Sequence, residues 1–304
     1  KSESFCRPGI SFMGAHFWIL AIVFAGILNF GQPKPTDGFT SAIVDLPQYQ
    51  AKIGGFFYND KEDVPNAEAT FDALRLAHVY GLKSQINVND AIKFLQSLKN
   101  ADHGYALRTG GPSDLFAVRL VVLSYKLAGI TVPEVSELVN YIKSLLDTDT
   151  SLFAARTAEK ADISSTAFAL DTLEALGESQ SKFFQGLLPS LHQTLKKHYD
   201  TEKDLFVFPG ETSPLASNAY AIIVSKAAGF SLSEPKKIAS AIAKFQDLDP
   251  ASVTYGGFFT DAERTVVSYD GARAIAALRV LDQQYPGANV FDSINLDALI
   301  QYAK

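Results

Sequence analysis

Cysteine is almost missing from this chain. Cys6 is the only one in 304 residues, so neither a disulfide framework nor a thiolate-rich metal site can be built from the sequence. The single tryptophan, Trp18, lies in an apolar N-terminal run, which leaves none to wall a cavity. No Asn-x-Ser/Thr acceptor occurs. An excess of positive charge is missing too: 27 Lys and Arg against 33 Asp and Glu give a net charge of -6. There is no basic footprint, and a nucleic-acid partner is excluded. What is present is apolar, 47% hydrophobic against 20% charged, a composition that supports a large core and is neither disordered nor collagenous.

The lone methionine, Met13, stands directly before the apolar run Gly14 to Leu28, with Pro33 and Pro35 soon after. The run falls short of the roughly twenty apolar residues of a comfortable spanning helix, and residues 13–31 read as a signal peptide. Residues 1–12 read as leader sequence upstream of the true start. An uncleaved membrane anchor is the alternative. This reading places the protein in the secretory pathway, in the endoplasmic reticulum lumen or secreted.

Residues 32–304 carry an internal repeat of about fifty residues. Gly54-Gly55-Phe56-Phe57 returns as Gly256-Gly257-Phe258-Phe259, with weaker echoes at Gly104-Tyr105, Leu152-Phe153 and Leu205-Phe206. Each start is followed by a polar turn and an alanine-rich stretch such as NAEATFDALRLAHVYGL or DISSTAFALDTLEALG; the first four stretches close at Gly81, Gly129, Gly177 and Gly229. A second, amphipathic helix follows, as in 87–100 and 132–146, where Val135, Leu138, Val139, Ile142, Leu145 and Leu146 share one face. Pro133, Pro214 and Pro235 are expected in the first turns of helices, and Asp114 and Asp162 as N-terminal caps. The first helices are apolar or small nearly all round, the second ones only on one side. Two concentric layers account for this: an all-α, α/α toroid of helical-hairpin repeats with short hairpin-like turns, at about 52–100, 101–148, 149–200, 201–250 and 251–304. A linear solenoid uses the same local pattern.

The stretches GGFFYNDKEDVPNAEATFDALRLAHVYGL and YGGFFTDAERTVVSYDGARAIAALRVL resemble the repeat of protein prenyltransferase β subunits and terpene cyclases. That resemblance implies the toroid and allows its chemistry to be tested by residue type. The zinc of the prenyltransferases needs Asp, Cys and His ligands, and His78, His103, His192 and His198 are scattered over the repeats. The Asp-x-Asp-Asp acid of alkene-protonating cyclases is approached only by Asp147-Thr148-Asp149-Thr150, which lacks the last acid and reads as a loop. The Cys-Gly-Glu-Gln string of thioester toroids is absent. Ser217, Ser225 and Ser268 have no histidine at a suggestive spacing.

With these sets missing, no cofactor, no metal and no catalytic residue are expected, and the chain reads as a non-enzyme. In layout and in Leu152 to Gly177 it resembles the ribophorin II family of oligosaccharyltransferase subunits. This implies a non-catalytic luminal subunit supporting N-glycosylation, with protein subunits of a membrane complex as partners. Membrane contact would come only through an uncleaved N-terminal segment or a missing C-terminal region. Two alternatives remain: a secreted toroid enzyme of the terpene cyclase, prenyltransferase or polysaccharide-lyase type, which would show a deep apolar cavity bearing a buried carboxylate, and a secreted binding protein. Charges just after the repeat starts, Asp60, Glu62, Asp63, Arg108, Arg156, Glu211, Asp261, Glu263 and Arg264, would form a ligand or partner rim in a closed ring; solvated turns are the plainer reading.

Overall fold

Five aromatic side chains at the repeat starts, Phe56, Tyr105, Phe153, Phe206 and Phe258, are buried, none more than 3% exposed. The backbone of each bridges antiparallel to the segment before its turn, which in the last four repeats ends the preceding helical pair: Gln50 with Phe56, Lys99 with Tyr105, Leu146 with Phe153, Tyr199 with Phe206 and Gln246 with Phe258. Three of them also hydrogen-bond forward. The amides of Phe56, Phe153 and Phe206 donate to Thr70 Oγ1 (3.0 Å), Thr166 Oγ1 (2.9 Å) and Asn218 Oδ1 (2.6 Å), each in the first turns of the next helix. The aromatic residue therefore fixes the start of each inner helix.

This computed structural model describes residues 46–58, 64–210, 213–260 and 268–302. The expected signal peptide and leader lie outside them. The helical pairs are α1 (Ala67–Val79) with α2 (Val88–Ser97), α3 (Leu115–Ala128) with α4 (Val135–Ser144), α5 (Ile163–Ala175) with α6 (Lys182–His198), α7 (Pro214–Ala227) with α8 (Pro235–Ala243), and α9 (Ser268–Gln284) with α10 (Leu296–Tyr302). Two of the hairpins are regular enough to form two-stranded sheets, β1 (Leu146–Asp147) with β2 (Leu152–Phe153) and β3 (Tyr199–Asp200) with β4 (Leu205–Phe206).

Sequence dictates the helix ends. Asn66, Asp114, Asp162 and Ser213 cap α1, α3, α5 and α7 with their side-chain oxygens. All four closing glycines have positive φ, and Gly129 N–H bonds back to Tyr125 and Lys126. Pro214 and Pro235 start their helices as expected. Pro133 does not: Glu134, at φ 49°, is the cap residue, and α4 begins only at Val135. His192 and His198 are half-buried, with Nδ1 against the carbonyls of Ala228 (3.3 Å) and Val207 (3.0 Å).

The odd-numbered helices pack in succession, α1 on α3, α3 on α5, α5 on α7 and α7 on α9, as the inner layer of an α/α toroid. The outer helices sheathe it, α2 lying on both α1 and α3, α6 on α7 and α8 on α9. Ala69, Ala73, Ala77, Ala117, Ala167, Ala219, Ala274 and Ala277 are buried in the inner helices, where small side chains let helices approach closely. Among the described residues no helix is long and apolar enough to cross a membrane.

The Gly-Gly motif belongs to the first and last repeats for a steric reason. Gly54 (φ 97°) and Gly256 (φ 91°) press against the Asp90 and Ala298 carbonyls of α2 and α10, leaving no room for a Cβ. The same clamp supports both. Gln50 Nε2 donates to the Gly54 and Asn87 carbonyls (3.0 and 2.8 Å), and Gln246 Nε2 to those of Gly256 and Asn295 (3.2 and 2.8 Å). Gly256→Ala should destabilise the fold by at least about 2 kcal/mol in urea unfolding. Gly177→Ala, with open space around its Cβ, should lose only about 1 kcal/mol from its left-handed backbone. Equal losses would contradict the steric account.

Candidate functional site in the central cavity

Inner helices buried on nearly all sides should carry no charge, because a lone buried charge is costly. Apart from charges in their last turns, these helices nevertheless carry Glu68, Asp72, Arg75, Arg119, Asp171, Asp270, Arg273 and Arg279. Six of the eight line a cavity of about 710 Å3 walled by side chains from all five inner helices. Its apolar wall includes Phe71, Leu120, Ile223 and Ile275, with an aromatic run across three helices. Phe116 and Phe168 are tilted at 5.1 Å between centroids, and Phe168 and Tyr220 meet edge-on at 5.2 Å.

The hairpin anchor explains why these positions face inward. Two residues after Thr70, Thr166, Asn218 and Asp270 stand Asp72, Phe168, Tyr220 and Ala272; the corresponding residue of α3, which has Val118 in place of the polar anchor, is Leu120. All five line the cavity. One repeat position is therefore filled five different ways at one place.

Two arginines of the cavity are compensated. Arg119 Nε lies 2.5 Å from Asp171 Oδ2, and its guanidinium sits 5.5 Å over the Phe168 ring. Arg273 pairs at 2.8 Å with the fully buried Asp270, which also accepts from the Thr260 hydroxyl, and stacks 5.8 Å over Tyr220. The other two are not. Among the described residues neither Arg75 nor Arg279 makes a hydrogen bond or an ion pair. Burial pushes the Arg75 guanidinium down; Asp72 counters this, and Arg119 and Arg279 add to it. Burial likewise lowers Arg279.

Four carboxyls line the cavity, Glu68, Asp72, Asp114 and Asp162, and Asp72 stands on the same helix as Arg75. Among the described residues the one hydrogen bond of Asp72 to a side chain is from the Tyr58 hydroxyl, 3.2 Å to Oδ2. Burial, first, and the Glu68 carboxylate one turn earlier, second, push it up to about 7; Arg75, the Tyr58 hydroxyl and Arg119 pull the other way and do not win. Both protonation states are therefore present near neutrality, as acid–base work requires.

The rim expected from the sequence is described only in part. Arg108 is exposed. Arg156 lies 2.9 Å from Asp114, the cap of the neighbouring inner helix, and 3.5 Å from Glu159. Asp60, Glu62, Asp63, Glu211, Asp261, Glu263 and Arg264 lie outside the described residues. The signal missed in the sequence was charge within the apolar repeats themselves, in FDALRLA, FAVRLVV and GARAIAALRVL. Among the described residues no three His, Cys, Asp or Glu side chains converge as metal ligands. Asp147 accepts from Asp149 N–H and the Thr150 hydroxyl, both 2.9 Å, and serves the turn between β1 and β2.

The sequence profile of the prenyltransferase alpha-alpha toroid domain matches residues 9–198. Among solved structures, protein geranylgeranyltransferase-I of Candida albicans complexed with GGPP superposes with a TM-score of 0.65 at 15% identity, covering 95% of this chain and 92% of that one. A type II terpene cyclase from Scytonema gives 0.55 at 11% identity, over 91% and 87%. Cellobiose 2-epimerase from Bacillus thermoamylovorans gives 0.57 at 13%, over 89% and 87%. No curated protein matches the sequence significantly. These neighbours are enzymes, and they overturn the expectation of a non-enzyme, which rested on motif absences blind to the cavity. The oligosaccharyltransferase role draws no support from them.

The raised Asp72 has a consequence for stability. Its folded pKa of about 7 exceeds the ordinary 3.8, so the folded state holds the proton more tightly than the unfolded one. The resulting stabilisation is complete below about pH 4 and is lost as pH rises through about 7. Asp72→Asn should be more stable than the wild type at pH 8 by about 2 kcal/mol, after discounting for water in the cavity, with its stability nearly flat between pH 4 and 8. A parallel decline in both proteins, followed by thermal unfolding, would contradict the raised pKa.

Proposed function

We propose that this chain, which belongs to the prenyltransferase alpha-alpha toroid domain family, is an enzyme whose active site is the central cavity and whose substrate is an isoprenoid with an anionic head group. One observation carries the reading: a carboxyl that titrates near 7 shares an aromatic-walled cavity with two guanidiniums that lack partners among the described residues. An apolar chain against Phe71, Phe116, Phe168 and Leu120 gains about 25 cal/mol for each Å2 removed from water. Arg75 and Arg279 take the head group through charge-assisted hydrogen bonds, which relieves their mutual repulsion.

The chemistry that fits is departure of the head group. As the C–O bond breaks, its electron pair goes to the oxygen, which takes the proton from Asp72, while the carbon is captured by an acceptor or by water. The two arginines hold the departing anion. Alkene protonation fits less well, because a carboxyl with a pKa of about 7 is too weak an acid for it. Arg119 and Arg273 also hold positive charge over the rings that a cyclase would offer to a carbocation.

Geranylgeranyl diphosphate tests the reading by calorimetry and by diphosphate release. Asp72→Asn should keep binding within about twofold and lose about a hundredfold or more in release rate. Arg279→Ala should weaken binding about tenfold or more. Wild-type release should fall as pH rises through about 7. If the compound fails to bind, or binds Arg279→Ala as tightly as wild type, the substrate class is wrong.

A further inference from the structure

The proton affinity of Asp72 is the property on which the proposed chemistry turns, and the groups facing it come from several elements. On its own helix these are Glu68 and Arg75; the Tyr58 hydroxyl comes from the first hairpin and Arg119 from α3. Arg279 on α9 faces Arg75, and Arg273, Asp114 and Asp162 line other parts of the cavity. Glu68 and Arg75 are direct neighbours of opposite sign. Arg119 differs from them, because its charge is already claimed from the far side.

That claim has defined geometry. Asp171 Oδ2 lies 2.5 Å from Arg119 Nε, and Phe168, one turn earlier on α5, lies flat beneath the guanidinium at 5.5 Å. Two contacts with α5 thus hold the Arg119 head toward α5, while its helix, α3, packs directly on α1, which carries Asp72. On the opposite side the Tyr58 hydroxyl donates to Asp72 Oδ2, a bond that is stronger to a carboxylate than to a neutral acid.

We infer that Asp171 and Tyr58 are positioning residues that set the proton affinity of Asp72 in opposite directions, Asp171 by holding and neutralising Arg119, Tyr58 by donating a hydrogen bond to the carboxylate. The inference rests on the reading of Asp72 as proton donor and adds how that donor is tuned. Asp171 does not itself line the cavity, and its bond is to Arg119, so its influence passes through Arg119. Without the Asp171 charge, the Arg119 guanidinium is uncompensated and acts in full on Asp72, lowering its pKa. Without the Tyr58 hydroxyl, the carboxylate loses its donor and its pKa rises.

The test reads Asp72 directly by carbon NMR of full-length protein labelled at aspartate carboxyl carbons, with Asp72→Asn assigning the resonance. Asp171→Asn should move the midpoint down by about one pH unit. Tyr58→Phe should move it up by about half a unit, Asp171→Glu should restore the wild-type value, and Asp171→Asn with Tyr58→Phe should fall between. The alkaline limb of the diphosphate-release profile should shift in the same sense. A purely structural role would change stability and leave the midpoints in place. If all variants titrate at the wild-type pH near 7, the inference is overturned while the active-site reading stands. If wild-type Asp72 titrates near 4, that reading of Asp72 fails and the inference falls with it.

Discussion

Each inner helix is indexed by the hairpin before it. A buried aromatic residue bridges to the segment before its turn, and in three repeats its amide donates to a polar side chain in the first turns of the next inner helix. Buried polar groups must find partners, so Thr70, Thr166 and Asn218 cannot rotate away from their hairpins without leaving an amide and a side-chain oxygen unsatisfied. Helix rotation is thereby fixed at the N-terminal end, and what faces the axis follows from it. The second repeat reaches the same geometry without a polar anchor: Val118 stands there, and the Ala106–Ser113 bridge closes the turn instead.

Within this frame the cavity is an exception to the economy of the inner layer. Alanines bring the helices together, and the faces toward the axis mix aromatic and aliphatic side chains with charge. Arg119 and Arg273 are each balanced by a carboxylate and an aromatic ring; Asp72, Arg75 and Arg279 are not balanced one for one. Such an arrangement carries an electrostatic cost. The proposed anionic head group would relieve it, which would tie affinity to the same residues that perturb the acid.

Much of the architecture was legible in the sequence, because repetition multiplies weak signals. A single Gly-Gly-Phe-Phe says little, but its recurrence beside alanine-rich stretches ending in glycine marks the hairpin, inner helix and outer helix. Asp114 and Asp162 were readable as caps, since cap chemistry is local. Pro133 misled because Glu134 takes up a left-handed turn before α4. The site was not legible from motifs. Zinc ligands and Asp-x-Asp-Asp are contiguous or type-specific signals, whereas this cavity gathers Asp72, Arg119, Phe168 and Arg279 from four different repeats, and only the fold brings them together. Asp72 and Arg75 stand within an alanine-rich stretch, and nothing local in it says that they face the axis of the ring.

The fixed distance between anchor and axis-facing residue has a consequence for how such a protein changes over generations. Two positions beyond each anchor, Asp72, Leu120, Phe168, Tyr220 and Ala272 occupy one site of the repeat with acid, aliphatic, aromatic, phenolic and small side chains. Exchanging any of them rewrites the cavity and leaves the lateral seams between helices intact. An insertion of one residue between anchor and lining position does the reverse: it turns the rest of that helix by about 100° and drives the lining side chain into a seam. Innovation in this ring therefore proceeds by substitution along five indexed sites, while changes of length are confined to the loops between them.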